Sequence, residues 1–362
     1  MTDSRIPVTL LTGFLGAGKT TLLNAVLSDE SSGRIAVIVN EFGEAGLDHD
    51  LIESSRDEIV LMQSGCLCCS VRGDLARTIA DLIARKDAGE LEFERVVIET
   101  TGLADPGPIL QTLLVDPYLA RATRMDGVIT VVDAVSGPAT LDAQFEAVSQ
   151  VAMADLIVMS KADLAAPDDV LAFTARLKGL NAGVRILQSV RGEGAPGHIW
   201  GLSGLRHSAA PADVLAWTSG ADSAPDPLGN LSGLSLSEPT ALPVSQHDTR
   251  IGTASVVLDV RIPVEAFDYW LDTLIRLRGP DILRVKGIVF LDGIELPFVF
   301  HGVQHIFDPP VPLRDWPHEN CQSRIVVIAR DISRPELQRS LDILRASVTP
   351  RASYTPDKVA TP

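Results

Sequence analysis

Basic side chains are the scarce charge in this chain. Its 362 residues carry 31 Lys and Arg against 47 Asp and Glu, a formal net charge of −16. Nucleic-acid binding draws on Lys and Arg displacing counterions from phosphates, so an extended nucleic-acid surface is excluded. Long apolar runs are missing too: none approaches the roughly 20 residues that a membrane span needs. The opening Met-Thr-Asp-Ser-Arg-Ile-Pro enters an apolar segment without a basic-then-apolar leader. A cytoplasmic protein with no membrane partner is the expectation. Cysteine is sparse, four in all, and three of the four stand together at Cys66, Cys68 and Cys69. That clustering argues against a disulfide framework and for metal ligation or redox chemistry, with the thiols kept reduced in the cytosol.

What is present is a chain 46% hydrophobic and 22% charged, enough for two packed domains. Short runs rich in β-branched residues, at 8–11, 35–39, 59–62, 96–98, 128–132, 156–159 and 184–187, alternate with stretches of helical period. That alternation predicts βαβ units, an α/β fold with a parallel sheet flanked by helices. From 208 to 246 the composition shifts to Ala, Pro, Ser, Gly and Asp, and Pro211, Pro225, Pro227, Pro239 and Pro243 interrupt regular structure, which reads as a linker. Order resumes in a smaller α+β domain over 247–346: a strand after 254, a helix at 264–277, strands at 282–290, 298–304 and 325–329, and a helix at 335–346. An antiparallel sheet backed by two helices is expected there, and a frayed tail at 347–362. The first domain accordingly spans 1–207.

The segment GFLGAGKT, Gly13 to Thr20, satisfies G-x-x-x-x-G-K-[ST] between a strand and a helix whose apolar residues share one face. Glycines let the backbone close around a phosphate, so Gly13, Gly16, Ala17 and Gly18 offer N–H groups, as does Thr21 at the helix start; Lys19 adds a point charge and Thr20 an Mg²⁺ ligand. A bare glycine turn would not require Lys and Thr in succession. The sixth expected strand runs into Ser160-Lys161-Ala162-Asp163, similar to the N-K-x-D guanine motif. The Asp163 carboxylate can accept from guanine N1–H and the exocyclic amine, which adenine lacks, so GTP is favoured. Its alternative is a turn cap. Ser160 stands where an amide usually holds the loop, and Ser189 to Arg191 offer a second base-side loop. Glu99, ending VVIETTG, is the candidate to organise Mg²⁺ or the attacking water, and Gly102 can approach the terminal phosphate. Asp133 ends the neighbouring strand, as a cap or a catalytic acid.

Three thiols within four residues after a strand suit Zn²⁺, Cu(I) or Co²⁺; burial and a C-x-x-C redox pair, Cys66 with Cys69, stay open. Three thiolates leave one tetrahedral position for water, Glu41, His49 or a partner's ligand. Asn40 to Asp48, with Gly43, Glu44 and Gly46, follow the second strand, where a first switch would lie. His301 and His305 share one face of a strand candidate and read as structural; Cys321 reads as a small buried hydrophobe.

The succession of Gly13–Thr20, Asn40–Asp48, Gly65–Cys69, Glu99–Pro106 and Ser160–Asp163 resembles the CobW family of metal-associated GTPases, with softer similarity in HDTRI at 247–251, LRVKG at 283–287 and FHGVQH at 300–305. The resemblance implies an Mg²⁺-dependent GTPase whose Cys66, Cys68 and Cys69 bind zinc or cobalt for delivery to a client metalloprotein. Many relatives carry a histidine-rich stretch between domains; here only His207 and His247 flank it. Two rival readings are an ATP-using, kinase-like P-loop enzyme with structural thiols and a non-catalytic metal sensor. A homo-oligomer is left open.

Overall fold

In the computed structural model, which describes residues 4–41, 58–63, 70–203, 210–218, 248–314, 316–317 and 321–348, each of the seven expected strands is present. They are β1 Ile6–Gly13, β2 Ile35–Glu41, β3 Glu58–Gln63, β4 Arg95–Thr100, β5 Thr123–Asp133, β6 Leu156–Ser160 and β7 Arg185–Ser189. All pairs are parallel, in the order β3-β2-β4-β1-β5-β6-β7. A parallel sheet covered on both faces needs apolar side chains on both, and β1 shows why its sequence lacks polar alternation. Val8 and Leu10 pack towards α2 (Ser70–Asp87) and α3 (Gly107–Val115), while Leu11 packs towards α1 (Lys19–Leu27). A single turn, α4 (Leu119–Ala122), leads into β5, and α5 (Gly137–Ala143), α6 (Phe145–Met153) and α7 (Pro167–Leu180) enclose Val132, Ile157 and Met159.

The order of strands decides where a ligand can bind. After β1 the chain moves to one side for β2 and β3; after β4 it crosses to the other side for β5, β6 and β7. The loop after β1 therefore lies at the reversal point, where the carboxyl ends of parallel strands open a crevice.

Within the segment read as a linker, residues Pro211–Trp217 form a helix, α8. Pro211 opens it: a proline lacks only an N–H that the first helical position leaves unbonded, so it starts a helix as readily as it breaks one. Beyond it lie β8 (Ile251–Leu258), α9 (Val264–Arg278), β9 (Ile282–Val289), β10 (Phe298–Val303), β11 (Ile306–Phe307), β12 (Val311–Pro312), β13 (Ser323–Arg330) and α10 (Arg334–Val348). Their antiparallel sheet runs β11-β10-β9-β13-β8, with β12 also on β10. β11 and β12 are too short to leave a sequence signal.

One face of this sheet is covered by Phe267, Trp270 and Leu274 of α9 with Leu337, Leu341 and Leu344 of α10. The other face is not free either. Leu283, Val303 and Val326 join Leu110, Leu113 and Met153 of the first domain, and Ile288 and Val299 pack on Val214 and Trp217 of α8. Every residue of β9 is consequently buried, Arg284 and Lys286 included. His305 does not share the face of His301: Gln304 adopts a left-handed φ of 57° and turns the chain from β10 into β11, leaving His305 exposed. Cys321 is partly buried beside the Trp217 and Trp316 cluster. Among the described residues no helix is long and apolar enough to cross a membrane.

Candidate nucleotide site

The phosphate loop is shaped by what its glycines avoid. β1 ends at Gly13 with φ +140°, and a Cβ there would meet Val131 O of β5 at 2.3 Å. Gly18 takes the left-handed φ of 101° at the N-cap of α1, and no side chain caps that helix. The first N–H groups of α1 are thus left for an anion, with the positive end of the helix behind them. Lys19 Nζ donates to Gly13 O at 2.9 Å and to Phe14 O at 3.3 Å, which holds the ammonium over the loop. The Thr20 hydroxyl donates to Glu99 Oε1 at 3.1 Å, and Glu99 is buried at the end of β4. Beside it the Thr100 hydroxyl donates to Thr12 Oγ1 at 2.9 Å, tying β4 to β1.

Gly102 has to be glycine. A Cβ on it would lie 2.5 Å from Leu15 N, in the backbone of the phosphate loop itself. Gln150 of α6 holds this turn from behind, its Nε2 donating to Gly102 O at 3.1 Å and to Ala104 O at 3.0 Å. Sequence reasoning passed over Gln150; its signal is a polar residue inside a helix whose neighbours from Ala147 to Met153 are all buried.

On the other side of the loop, the Ser160 hydroxyl donates to Ala17 O at 2.6 Å, so it clamps the phosphate loop to β6 in place of an amide. Lys161 sits at a left-handed φ of 55°, its Nζ donating to Asp133 Oδ2 at 2.6 Å and to Gly16 O at 3.0 Å. Asp133 serves as a cap as well, because its Oδ1 accepts from the N–H groups of Val135 and Ser136. Burial works to raise its carboxyl, but Lys161 and these donors outweigh burial and hold the group below the ordinary carboxylate range. The turn Ala162–Leu164 carries Asp163, exposed and bonded to no other described residue. Asp163 lines a cavity of about 280 Å³ together with Gly18, Thr21, Ser160, Ser189 and Arg191. The loop after β7 seats tightly against α1, since a Cβ on Gly192 would fall 2.4 Å from Ala25 Cβ.

Residues 7–188 match the CobW/HypB/UreG nucleotide-binding domain, and residues 251–345 match the cobalamin synthesis protein cobW C-terminal domain. The chain is 32% identical to the zinc chaperone YjiA of Escherichia coli, over 94% of this chain and 99% of that protein. The chain belongs to the CobW family. It is also 30% identical to the zinc chaperone CobW of Pseudomonas aeruginosa, over 94% of this chain and 92% of the relative. The crystal structure of Zn(II)-bound YjiA GTPase from Escherichia coli superposes with a TM-score of 0.69 at 28% identity, covering 94% and 99% of the two chains.

Of the metal residues expected from the sequence, Thr20 is paired with Glu99 as described, while Glu41 closes β2 in register with Gln63 at the end of β3. Asn40, one residue earlier, is in register with Thr100 of β4. Cys66, Cys68 and Cys69, with Glu44, Asp48 and His49, lie outside the described residues. Among the described residues no group of three or more His, Cys, Asp or Glu side chains forms a metal cage. His301 is buried, with Nδ1 3.2 Å from Asp308 Oδ2. Its ring meets Trp217 of α8 edge-on, with 6.2 Å between ring centres.

Proposed function

We propose that this CobW-family chain is a GTP-hydrolysing metallochaperone, which binds zinc through Cys66, Cys68 and Cys69 and passes it to a client metalloprotein. One juxtaposition carries the reading: the Thr20 and Glu99 pair sits at the carboxyl edge that β2 and β3 share, and the chain leaves β3 at Gln63 three residues before Cys66. Thr20 and Glu99 form the hard-oxygen donor set that Mg²⁺ prefers, so they fit as the residues that would hold it beside the phosphates. Such an ion supplies charge neutralisation on the transferring phosphoryl group. Lys19 contributes a second positive charge there, and Gly102 lets the backbone come close to the terminal phosphate. Asp163 recognises guanine, with Ser160, Lys161 and Asp133 holding its loop in position.

Zinc is the cargo that fits three soft thiolates with one open position, which Glu41 can fill, and the relatives named zinc chaperones favour it over cobalt. In this scheme GTP binding tightens the metal site; hydrolysis loosens it and the metal leaves for the client. Reciprocity requires zinc to tighten GTP binding by the same factor.

Two measurements test the scheme. Hydrolysis assayed with GTP and ATP should favour GTP, and Asp163→Asn should reduce that preference by about 10²-fold, since it exchanges the acceptor for a mixed donor and acceptor. Zinc titrated into the protein with and without a non-hydrolysable GTP analogue should bind more tightly with it; equal affinities would overturn the coupling.

A further inference from the structure

A second cavity lies on the opposite edge of the parallel sheet, at the seam between the two sheets. It measures about 310 Å³, at the small end of ligand pockets, which run to about 1,000 Å³. Its wall includes Asp155, Arg185, Trp200, Asp213, Trp217 and Lys286. Asp155 immediately precedes β6 and Arg185 opens β7, so the cavity belongs to the amino edge of the sheet and is separate from the nucleotide crevice.

The charges of the wall are unequally satisfied. Asp155 is saturated: it pairs with Arg284 at 2.7 Å and accepts from Trp217 Nε1 at 2.8 Å and Val128 N at 3.0 Å. Asp213 and Arg185 stand exposed at the mouth; Arg185 donates to His198 O, and Asp213 has bonds of its own. Lys286 differs from all of these. It is 2% exposed, lines the cavity, and forms neither a hydrogen bond nor an ion pair with any described residue. Its ammonium lies over the face of Trp217, 5.5 Å from Nζ to the ring centre. A further donor of the wall is idle, because the buried Trp200 Nε1 has no acceptor among the described residues. A buried cation and a buried N–H without partners are each costly, and an acceptor carrying one negative charge would satisfy both.

We propose that this cavity binds a small monoanionic carboxylate, with Lys286 as its counter-ion. Lys286 is the buried cation of the wall that has no ion pair among the described residues, so one negative charge beside it suffices, and the exposed Asp213 disfavours a second. Trp200, which carries the Arg95 guanidinium 4.1 Å from its ring centre, and Trp217 give the wall an aromatic surface that suits an apolar body on the anion. Burial, reinforced by the Arg284 charge and opposed by Asp155, pushes the Lys286 amine down to about 7. His301, opposite Lys286 in register, is itself held low, by burial first, and adds no competing charge. Anion binding therefore draws in a proton as pH rises through neutrality. Because the wall comes from both domains, the ligand also holds them together.

Benzoate is the probe, titrated calorimetrically into the full-length protein, with neutral benzamide and inorganic phosphate as comparisons. Saturable benzoate binding is expected, roughly twentyfold weaker at about pH 8.5 than at about pH 6.5 for an amine that titrates near 7. Benzamide should not bind, and phosphate should bind more weakly than benzoate. Lys286→Met should cost at least about tenfold in affinity. Trp200→Phe, which keeps every charge and secures the test if Lys286→Met does not fold, should weaken binding severalfold. No saturable benzoate binding, equal binding of benzamide, tighter binding of phosphate, or an unchanged affinity in either variant would overturn the proposal.

Discussion

Thr20 and Glu99 are separated by 79 positions in sequence and by 3.1 Å in space, and the proposed Mg²⁺ site rests on that contact. Thr20→Val keeps the shape of the side chain and removes the oxygen, so GTP hydrolysis should fall by about 10²-fold or more with the fold unchanged by circular dichroism. An unaltered rate would remove Thr20 from the site. Gly102→Ala is a steric counterpart: the added methyl meets Leu15 N at 2.5 Å, backbone against backbone, so it should weaken GTP binding as well as hydrolysis. Most of these residues were legible in the sequence because a phosphate loop needs its residue types at fixed spacing. Ser160 and Asp133 were only half legible. In sequence Ser160 stands in the place of an amide, whereas its hydroxyl spans the short gap to Ala17 O; Asp133, a cap or a catalytic acid by its sequence position, caps the turn after β5 and accepts from Lys161, a partner that no local window shows.

Among the elements, α6 links two parts that the sequence keeps apart. Gln150 holds the carbonyls of Gly102 and Ala104 in the turn that follows Glu99, and Met153, one turn on, accepts from Arg284 of β9 at 2.5 Å. α3, which follows that same turn, reaches the second domain through Gln111 and Gln304. Gln150→Leu leaves the buried Gly102 carbonyl and the partly buried Ala104 carbonyl without this donor, at about 1–3 kcal/mol for the buried one. Its expected signature is a lower melting temperature together with slower hydrolysis and nearly unchanged GDP affinity; unchanged hydrolysis would mean that the turn holds itself. Periodicity located the helices well, but a helical pattern says which face is apolar and is silent on which loop a single amide will reach.

At the scale of the whole molecule, the seam between the sheets rests on a buried ion pair. Arg284→Met strands the Asp155 carboxylate in the interior, and removing one partner of such a pair costs about 3–5 kcal/mol. Denaturant unfolding of the variant should show that loss. Lys286 sets a pH dependence opposite to that of a lysine held charged in a salt bridge. Between about 7 and its usual 10.5, the unfolded chain keeps a proton on this amine that the folded chain has shed. Stability therefore rises with pH across that window, by up to about 1.4 kcal/mol per unit, and is flat in this respect below it. Subtracting the profile of Lys286→Met from that of the parent protein isolates the slope, and identical profiles would show that Lys286 is not so desolvated.

Sequence alone determined the parallel sheet of the first domain, the phosphate loop and the antiparallel module with its two helices, because each rests on local spacing and on side-chain periods of two or 3.6. Tertiary structure alone decided that both faces of the second sheet are covered. Arg284 and Lys286 occupy alternate positions of β9, and packing against α6 and α8 makes them buried charges. Proline at the start of α8 and the turn at Gln304 followed the same rule, since burial and long-range contact, absent from any local window, set what each residue costs and whom it meets.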